Sequence, residues 1–206
     1  FLQHLCENEV NRVAKPIAFD RENLIGIFSY LNGQVPKSIN RNLVYQSSEF
    51  IRKINEFNNT KSAQNLQKAS EACFSIKAHI DCINKRVGLL NNILPGSPLE
   101  NDVFHFVQTS LATSLKQITK DILRNYSSEK VQQYLPSTLR IISPSDFGFQ
   151  NTLIENNILY FLDFEYAGWD DPAKLICDFG CHPEIPVTNK YLQIFKESFS
   201  SWLPRY

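Results

Sequence analysis

The first hydrophobic positions of the chain fall in two runs that a short polar segment separates. Residues 13–19 and 24–30 are mainly apolar, and the polar residues 20–23 lie between them, a pattern typical of a β-hairpin. Residues 32–36, Asn-Gly-Gln-Val-Pro, have the composition of a linker. Residues 1–12 have the pattern of the end of a polar helix. The start of the chain therefore predicts a helix end, a hairpin and a linker.

From about residue 38 to residue 126 the apolar positions recur at the spacing of an α-helix. Ser38 is a candidate cap for the first helix of this block, and Pro95-Gly96 ends the second. The side chains that define these two helices are Leu43, Phe50, Ile51, Ile54 and Phe57, then Ile76, Ile80, Ile83, Val87 and Leu90. Ser97-Pro98-Leu99-Glu100 has the form of a capping box with proline at the first helical position, which predicts a long helix through about Tyr126.

After Pro136 the period of the pattern shortens to that of strands, and helices return near the end of the chain. The predicted strands are residues 139–142, 152–154 and 158–163, and the predicted helices are residues 172–181 and 188–202. Strands that are grouped apart from helices favour an α+β fold over a doubly wound parallel sheet.

The composition of the chain argues against several classes of protein. The 206 residues carry 21 Lys+Arg and 21 Asp+Glu, and the mean hydropathy is −0.26. A balanced charge argues against a protein that coats nucleic acid. The longest unbroken apolar stretch is residues 158–162, far below the ~20 residues of a membrane helix, and no signal peptide is evident. We therefore expect a cytoplasmic protein without a nucleic-acid or membrane partner.

The five cysteines are Cys6, Cys73, Cys82, Cys177 and Cys181. Their number is odd and no CxxC pair is present, so reduced thiols in a cytoplasmic protein are the favoured interpretation. The alternative is that Cys177, Cys181 and His182 approach a metal ion from one helical face, although a structural zinc site needs a fourth ligand.

The chemistry of the chain is concentrated after the first of the short strands. Asp146 is followed five residues later by Asn151, and Asp163 ends the next predicted hairpin. This set suits phosphoryl transfer, in which one carboxylate orients or deprotonates a hydroxyl while an amide oxygen and a second carboxylate hold Mg²⁺. The alternative is that these residues only form turns, where Asp and Asn are common.

Residues 143–178 resemble the aminoglycoside phosphotransferase and choline kinase family, small-molecule relatives of protein kinases. The family pattern is approximately His-Gly-Asp-x4-Asn, a strand ending in Asp-(Phe/Trp)-Glu, then Gly-x-x-Asp-Pro and a helix that carries an Asp. The matching positions here are Asp146, Asn151, Asp163-Phe164-Glu165, Gly168-Trp169-Asp170-Asp171-Pro172 and Asp178. Glu165 stands where protein kinases have glycine, which points to the small-molecule branch.

The resemblance implies roles for these residues. Asp146 would be the catalytic base, and Asn151 and Asp163 would hold Mg²⁺ on the phosphates of ATP or GTP. Asp178 would be a buried structural carboxylate that braces the catalytic loop.

The segment 27–33, Ile-Phe-Ser-Tyr-Leu-Asn-Gly, resembles the hinge between the lobes of this family. By that resemblance the backbone of Ser29, Tyr30 and Leu31 would line the adenine pocket. Residues 1–31 would be the end of a β N-lobe with its hinge, and residues 32–206 would be a mainly helical C-lobe with the catalytic and metal-binding loops.

The candidates for substrate contact are three residues that follow Asp163 in the chain: Glu165, Tyr166 and Trp169. For the two aromatic residues the alternative is a place in the core, which is the commoner role of an aromatic side chain after a strand and is favoured here.

The chain departs from the family pattern in two respects. Pro144-Ser145 stands where the family has His-Gly, which puts the geometry of the loop in question. The nucleotide-clamping loop and the phosphate-binding lysine would precede Phe1, so we expect the 206 residues alone to transfer phosphate poorly or not at all. A pseudokinase-like module that binds nucleotide or ligand without catalysis is the alternative function.

Charge gives a hint about the acceptor. Residues 37–135 hold 13 Lys/Arg and 8 Asp/Glu, whereas residues 141–206 hold 4 and 9. A basic acceptor side disfavours a polycationic aminoglycoside, although most of these charges are expected on solvated helix faces. We therefore expect a neutral or anionic hydroxyl acceptor such as a sugar, and an amino alcohol such as choline stays open because Phe149, Tyr166 and Trp169 could form an aromatic cage.

Overall fold

The structure, a computed structural model, describes residues 1–203. The α-helices are α1 Leu2–Glu7, α2 Arg41–Asn55, α3 Lys61–Gln64, α4 Ile76–Leu90, α5 Pro98–Phe106, α6 Ala112–Asn125, α7 Ser128–Gln132, α8 Pro172–Cys181 and α9 Asn189–Ser200. The strands are β1 Pro16–Asp20, β2 Ile25–Phe28, β3 Ile141–Ser143, β4 Thr152–Glu155, β5 Ile158–Phe161 and β6 Gly168–Asp170. These elements form two compact units, the first from residues 1–72 and 137–203 and the second from residues 73–136. The division into lobes at residue 31 stays a prediction.

The elements predicted from the pattern are present, with corrections at their ends. Strands β1 and β2 pair antiparallel, as do β4 and β5, whose turn residues Asn156 and Asn157 both have positive φ as a tight hairpin requires. Helix α2 begins later than predicted, because the side chain of Asn40 and not that of Ser38 accepts from the backbone N–H of Leu43. The capping box at Ser97 is confirmed. The helix that follows it is interrupted by a π-helical turn at Val107–Leu111 and ends at Asn125.

The core of the first unit lies between α2, α8, α9 and the short strands. Phe50 of α2 stacks on Phe161 of β5 with 3.9 Å between ring centroids, and Phe179 of α8 stacks on Phe195 of α9 at 4.0 Å. The buried side chain of Asn55 accepts from the N–H of Ile142 at 2.8 Å and donates to its carbonyl at 2.9 Å. This amide fixes the end of α2 to β3, and β3 leads directly into the candidate catalytic loop.

The segments that flank the β1–β2 hairpin are bonded to opposite edges of the β4–β5 hairpin. The carbonyl of Arg12 accepts from the N–H of Phe161 at 2.8 Å. On the other edge the N–H of Ile154 donates to the carbonyl of Gln34 at 2.8 Å. Gly33 makes this approach possible, because its φ is 139° and a Cβ there would lie 3.0 Å from the carbonyl oxygen of Ile154. The segment predicted as a hinge is therefore attached to the β4–β5 hairpin.

Strand β6 was not predicted from the pattern, since it has three residues and begins with glycine. It pairs antiparallel with β3, Ser143 opposite Gly168. Its other edge is bonded to residues 67–69, with the N–H of Trp169 donating to the carbonyl of Gln67 at 3.0 Å. Strand β6 thus connects the start of the candidate catalytic loop to the segment after α3.

The second unit is helical and consists of α4, α5, α6, α7 and the π-helical turn. Many of its large apolar side chains are exposed, among them Leu94, Leu99, Ile118 and Leu123. No helix within residues 1–203 combines the length and the apolar character that crossing a membrane requires.

Candidate active site

The loop after β3 has an unusual backbone. Ser145 and Asp146 have φ of 55° and 39°, the left-handed region that residues with a Cβ seldom adopt. The hydroxyl of Ser143 accepts from the N–H of Ser145 at 3.0 Å and holds the start of this bend. Strained backbone of this kind is found disproportionately at active sites, where the surrounding structure maintains it.

Asp146 and Asn151, which the sequence predicted to act together, are in direct contact. The side-chain N–H of Asn151 donates to the backbone carbonyl of Asp146 at 3.0 Å and to its carboxylate Oδ2 at 3.2 Å. The amide of Gln150 donates to the same carbonyl at 3.1 Å. The amide nitrogen of Asn151 therefore holds the loop, and its oxygen is the atom with which it could bind a cation.

Asp163 follows the neighbouring strand β5 and is held near Asn151. The N–H of Leu162 donates to the backbone carbonyl of Asn151 at 2.9 Å, and Asp163 itself has a left-handed φ of 58°. The next residue, Phe164, packs against the core, with its ring centroid 6.2 Å from that of Phe50. Both candidate metal ligands are thus placed by one hairpin.

The donor set suits Mg²⁺. A carboxylate and an amide oxygen are hard ligands, and Mg²⁺ is commonly bound by one or two such protein groups together with phosphate oxygens and water. Within residues 1–203 no group of three or more His, Cys, Asp or Glu side chains is arranged to hold a metal ion. The alternative set of Cys177, Cys181 and His182 does not form such a group.

The substrate candidates occupy different surroundings. A hydrogen bond to Glu165, followed by the negative charges of Glu165, Asp163 and Asp146, raises the pKa of Tyr166. The phenol of Tyr166, which is exposed, therefore lies within the field of these carboxylates. The indole of Trp169 instead packs against the core and donates to the carbonyl of Ala63 at 3.0 Å, as the core interpretation predicted.

The prediction for Asp178 needs correction. Its side chain is 24% exposed, whereas the carboxylate of Asp170 is fully buried. The ammonium of Lys174 links both to the loop, at 2.7 Å from Asp178 Oδ2, 3.5 Å from Asp170 Oδ2 and 3.4 Å from Ser145 Oγ. Asp178 therefore contacts the loop through Lys174, which the sequence pattern did not predict. The spacing Asp-x3-Lys-x3-Asp, which places a carboxylate four residues before and four residues after Lys174, was the available signal.

The hinge candidates differ from one another. The backbone N–H and the hydroxyl of Ser29 are both used to close the first hairpin against Lys15, at 2.8 and 2.9 Å. The N–H group of Ser29 is therefore not available to adenine. The side chain of Tyr30 is 85% exposed.

No protein-family model matches the sequence, and no curated protein matches it at a significant level. Solved structures do match in fold. The AMP-bound spectinomycin phosphotransferase superposes with a TM-score of 0.66 at 16% identity over 99% of this chain and 66% of its own. The chain has the fold of a small-molecule kinase.

Two further kinases share this fold. Choline kinase from Cryptosporidium parvum Iowa II gives a TM-score of 0.57 at 14% identity, over 97% of this chain and 59% of its own. Amicoumacin kinase, solved with AMP-PNP, Ca²⁺ and amicoumacin, gives a TM-score of 0.51 at 11% identity, over 100% of this chain and 60% of its own. The chain thus spans about two thirds or less of the length of these kinases. The α+β protein-kinase-like fold expected from the motifs is confirmed.

Replacing Lys174 with Met should destabilise the kinase fold by about 2 kcal/mol, because two carboxylates near the loop lose their cation. The matched change is Lys77→Met in α4, whose pair with Asp81 is also one turn apart but has side chains 57% and 56% exposed. That change should lower the free energy of unfolding by less than about 0.5 kcal/mol. Urea unfolding of both variants measures the difference, and equal effects would show that the Lys174 cluster contributes no more than a surface pair.

The effect of Lys174 should depend on pH in a defined direction. Burial favours the neutral amine, but attraction to Asp178, its hydrogen bond and the charge of Asp170 outweigh burial and raise the pKa of Lys174 above its ordinary value of 10.5. A pKa raised by folding stabilises the protein below the unfolded value, and this stabilisation is lost as the pH rises through the folded value. The difference between wild type and Lys174→Met should therefore shrink above about pH 10.5.

Proposed function

We propose that this protein is a phosphotransferase that moves the γ-phosphate of ATP or GTP to a hydroxyl group of a small molecule. The observation that carries the proposal is the contact between Asn151 and Asp146, in which one amide holds the carbonyl and the carboxylate of a residue with left-handed backbone. If Asp146 and Asn151 only formed a turn, a second carboxylate residue with left-handed backbone, Asp163, would not be needed beside them. Asp163 is held there by the hydrogen bond from the N–H of Leu162 to the carbonyl of Asn151.

In this proposal Asp146 accepts the proton of the acceptor hydroxyl as the new phosphate ester forms. Its carboxylate is half exposed, so an incoming hydroxyl can reach it. Asn151 keeps the loop in place through its N–H groups, and its oxygen would bind the cation. Phosphoryl transfer depends mainly on such positioning and on neutralising the phosphate charge.

Asn151 and Asp163 would hold Mg²⁺, which would neutralise the negative charge of the nucleotide phosphates. Two of the kinases that share the fold were solved with a nucleotide, one with AMP and the other with AMP-PNP and Ca²⁺. These ligands were observed in those proteins. Gln34, which follows the hinge segment, pairs with Ile154 of strand β4, three residues after Asn151. The placement of adenine at the backbone of Tyr30 and Leu31 rests on the resemblance of residues 27–33 to the hinge of these kinases.

The acceptor is proposed to be a neutral or anionic hydroxyl compound, of which a sugar is the simplest example. The carboxylates of Asp146, Asp163 and Glu165 all act on the Tyr166 phenol. These negative charges favour an amino alcohol over an anionic acceptor, whereas the 13 Lys/Arg against 8 Asp/Glu in residues 37–135 favour a neutral or anionic one. Choline and ethanolamine therefore belong in the same acceptor screen as sugars and aminoglycosides. A preference for an aminoglycoside would overturn the sugar proposal.

Replacing Asp163 with Ala should weaken Mg²⁺-dependent nucleotide binding by about tenfold or more, because the cation loses its anionic protein ligand. Calorimetry with ATP and GTP, with and without Mg²⁺, measures the effect. Glu197→Ala, an exposed carboxylate on α9, is the control and should bind as wild type does. Binding that ignores both Mg²⁺ and Asp163 would contradict the metal assignment.

The pseudokinase-like alternative gives a different pattern in the same experiments. A binding module would retain Mg²⁺-dependent nucleotide binding but transfer no phosphate to any acceptor. The substitution of Pro144-Ser145 for His-Gly favours this alternative from the sequence. The Lys174 contact to Ser145 weakens that argument, because it supplies a different brace for the same loop.

A further inference from the structure

Helix α8 runs along the candidate catalytic loop and meets it at three successive positions. Near its start Lys174 lies 3.4 Å from the hydroxyl of Ser145. In its second half Phe179 stacks on Phe147 with 5.6 Å between ring centroids. Directly after its end, His182 Nε2 lies 3.9 Å from Asp146 Oδ1.

His182 is held in a defined orientation. It follows the last residue of α8 with an extended backbone, ψ of 126°, and its side chain is 20% exposed. The backbone N–H of Glu184 donates to its Nδ1 at 3.4 Å. A neutral imidazole that accepts at Nδ1 carries its proton on Nε2, and Nε2 is the atom that faces Asp146.

The two oxygens of the Asp146 carboxylate therefore have different neighbours. Oδ2 accepts from the amide of Asn151 at 3.2 Å, and Oδ1 faces His182. A separation of 3.9 Å is longer than a hydrogen bond, but contacts of this kind are often long without substrate and shorten when substrate binds. A carboxylate with a donor on each side cannot rotate freely about its Cβ–Cγ bond.

The local sequence explains why a donor from another element is needed. Proline at position 144 has no N–H group, and the N–H of Ser145 is already used by the hydroxyl of Ser143. Neither of the two residues before Asp146 therefore offers an N–H group to Oδ1. His182 is placed to supply one.

We propose that His182 is a positioning residue that holds the carboxylate of Asp146 in the orientation needed to accept a proton. This inference rests on the proposed function, since it assigns Asp146 as the base. His182 touches neither nucleotide nor acceptor in this scheme and acts only through Asp146.

The test uses the full-length gene product and compares His182→Ala, His182→Gln and a control, Gln193→Ala on the exposed side of α9. Loss of the donor should lower kcat by about tenfold with KM for the nucleotide within about twofold, as for other residues that orient a reacting group. Glutamine retains an N–H donor of similar reach and should restore most of kcat. In the Asp146→Asn background His182→Ala should have no further effect, because the group that it orients has lost its function.

Each outcome has a definite meaning. Wild-type kcat in His182→Ala, with Asp146→Asn inactive, would overturn the role of His182 and leave the proposed function in place. A loss of kcat that Gln does not restore, together with a lowered melting temperature, would show a purely structural role and also overturn it. Absence of phosphate transfer and of Mg²⁺-dependent nucleotide binding in the wild type would overturn both proposals.

Discussion

Replacing Asp146 with Asn is expected to lower kcat by about 100- to 10,000-fold, the usual contribution of a general base. An amide cannot accept the proton of the acceptor hydroxyl, so the new ester bond would have to form from a neutral alcohol. The substitution preserves shape, and asparagine tolerates the left-handed backbone of this position at least as well as aspartate does. The effect should therefore come from chemistry and not from refolding of the loop.

Nucleotide binding should survive the same substitution within about twofold, because Asn151 also holds the backbone carbonyl of residue 146 at 3.0 Å. An asparagine oxygen can still accept from the Asn151 amide. Steady-state transfer by the full-length gene product to the best acceptor of the screen measures kcat, and calorimetry measures binding. Glu197→Gln makes the same change of charge on α9 and should behave as wild type. An Asp146→Asn enzyme with more than about a third of the wild-type kcat would place the base elsewhere.

The sequence predicted those parts of the fold that depend on local pattern. The capping box at Ser97 and the hairpin turn at Asn156 are decided by neighbouring residues, and both are confirmed. The start of α2 was misplaced because Ser38 and Asn40 are both good caps and only the backbone geometry selects between them. Strand β6 was missed because three residues are too few to show a period, and its partner Ser143 in β3 lies 25 positions before Gly168.

For the site, the sequence identified the residues with recognisable chemistry but not those that support them. Asp146 and Asn151 were predicted to act together and are hydrogen-bonded. Lys174 and His182 were not predicted to hold the loop, because their partners lie 29 and 36 positions earlier and are reached only when α8 packs on β3. The carboxylate expected to be buried was Asp178, whereas the structure buries Asp170, which belongs to the unpredicted strand β6.

Replacing Gly168 with Ala is expected to destabilise the fold by about 3 kcal/mol, the upper range for forcing an extra group into a packed region. A Cβ at this position would lie 2.6 Å from the backbone nitrogen of Ala69 and 2.7 Å from the carbonyl carbon of Lys68. These are backbone atoms, so no side chain can move aside. Strand β6 would have to separate from residues 67–69 and weaken its hydrogen bonds with Gln67 and Ala69.

Gly88→Ala is the matched control, because a Cβ there meets nothing within 4 Å in the interior of α4. This change should stabilise its helix by about 0.5–1 kcal/mol, since alanine loses less conformational entropy than glycine on folding. Urea unfolding of the two variants should therefore give shifts of opposite sign.

The consequence of Gly168→Ala should extend to the site. Gly168 is paired with Ser143, whose hydroxyl holds the bend that places Asp146. A displaced β6 should thus lower kcat in variants that remain folded, while Gly88→Ala should not. If Gly168→Ala unfolds at the same urea concentration as wild type, the close approach of β6 to residues 67–69 is contradicted. An unchanged kcat in a destabilised variant would show that β3 keeps the loop in place without β6.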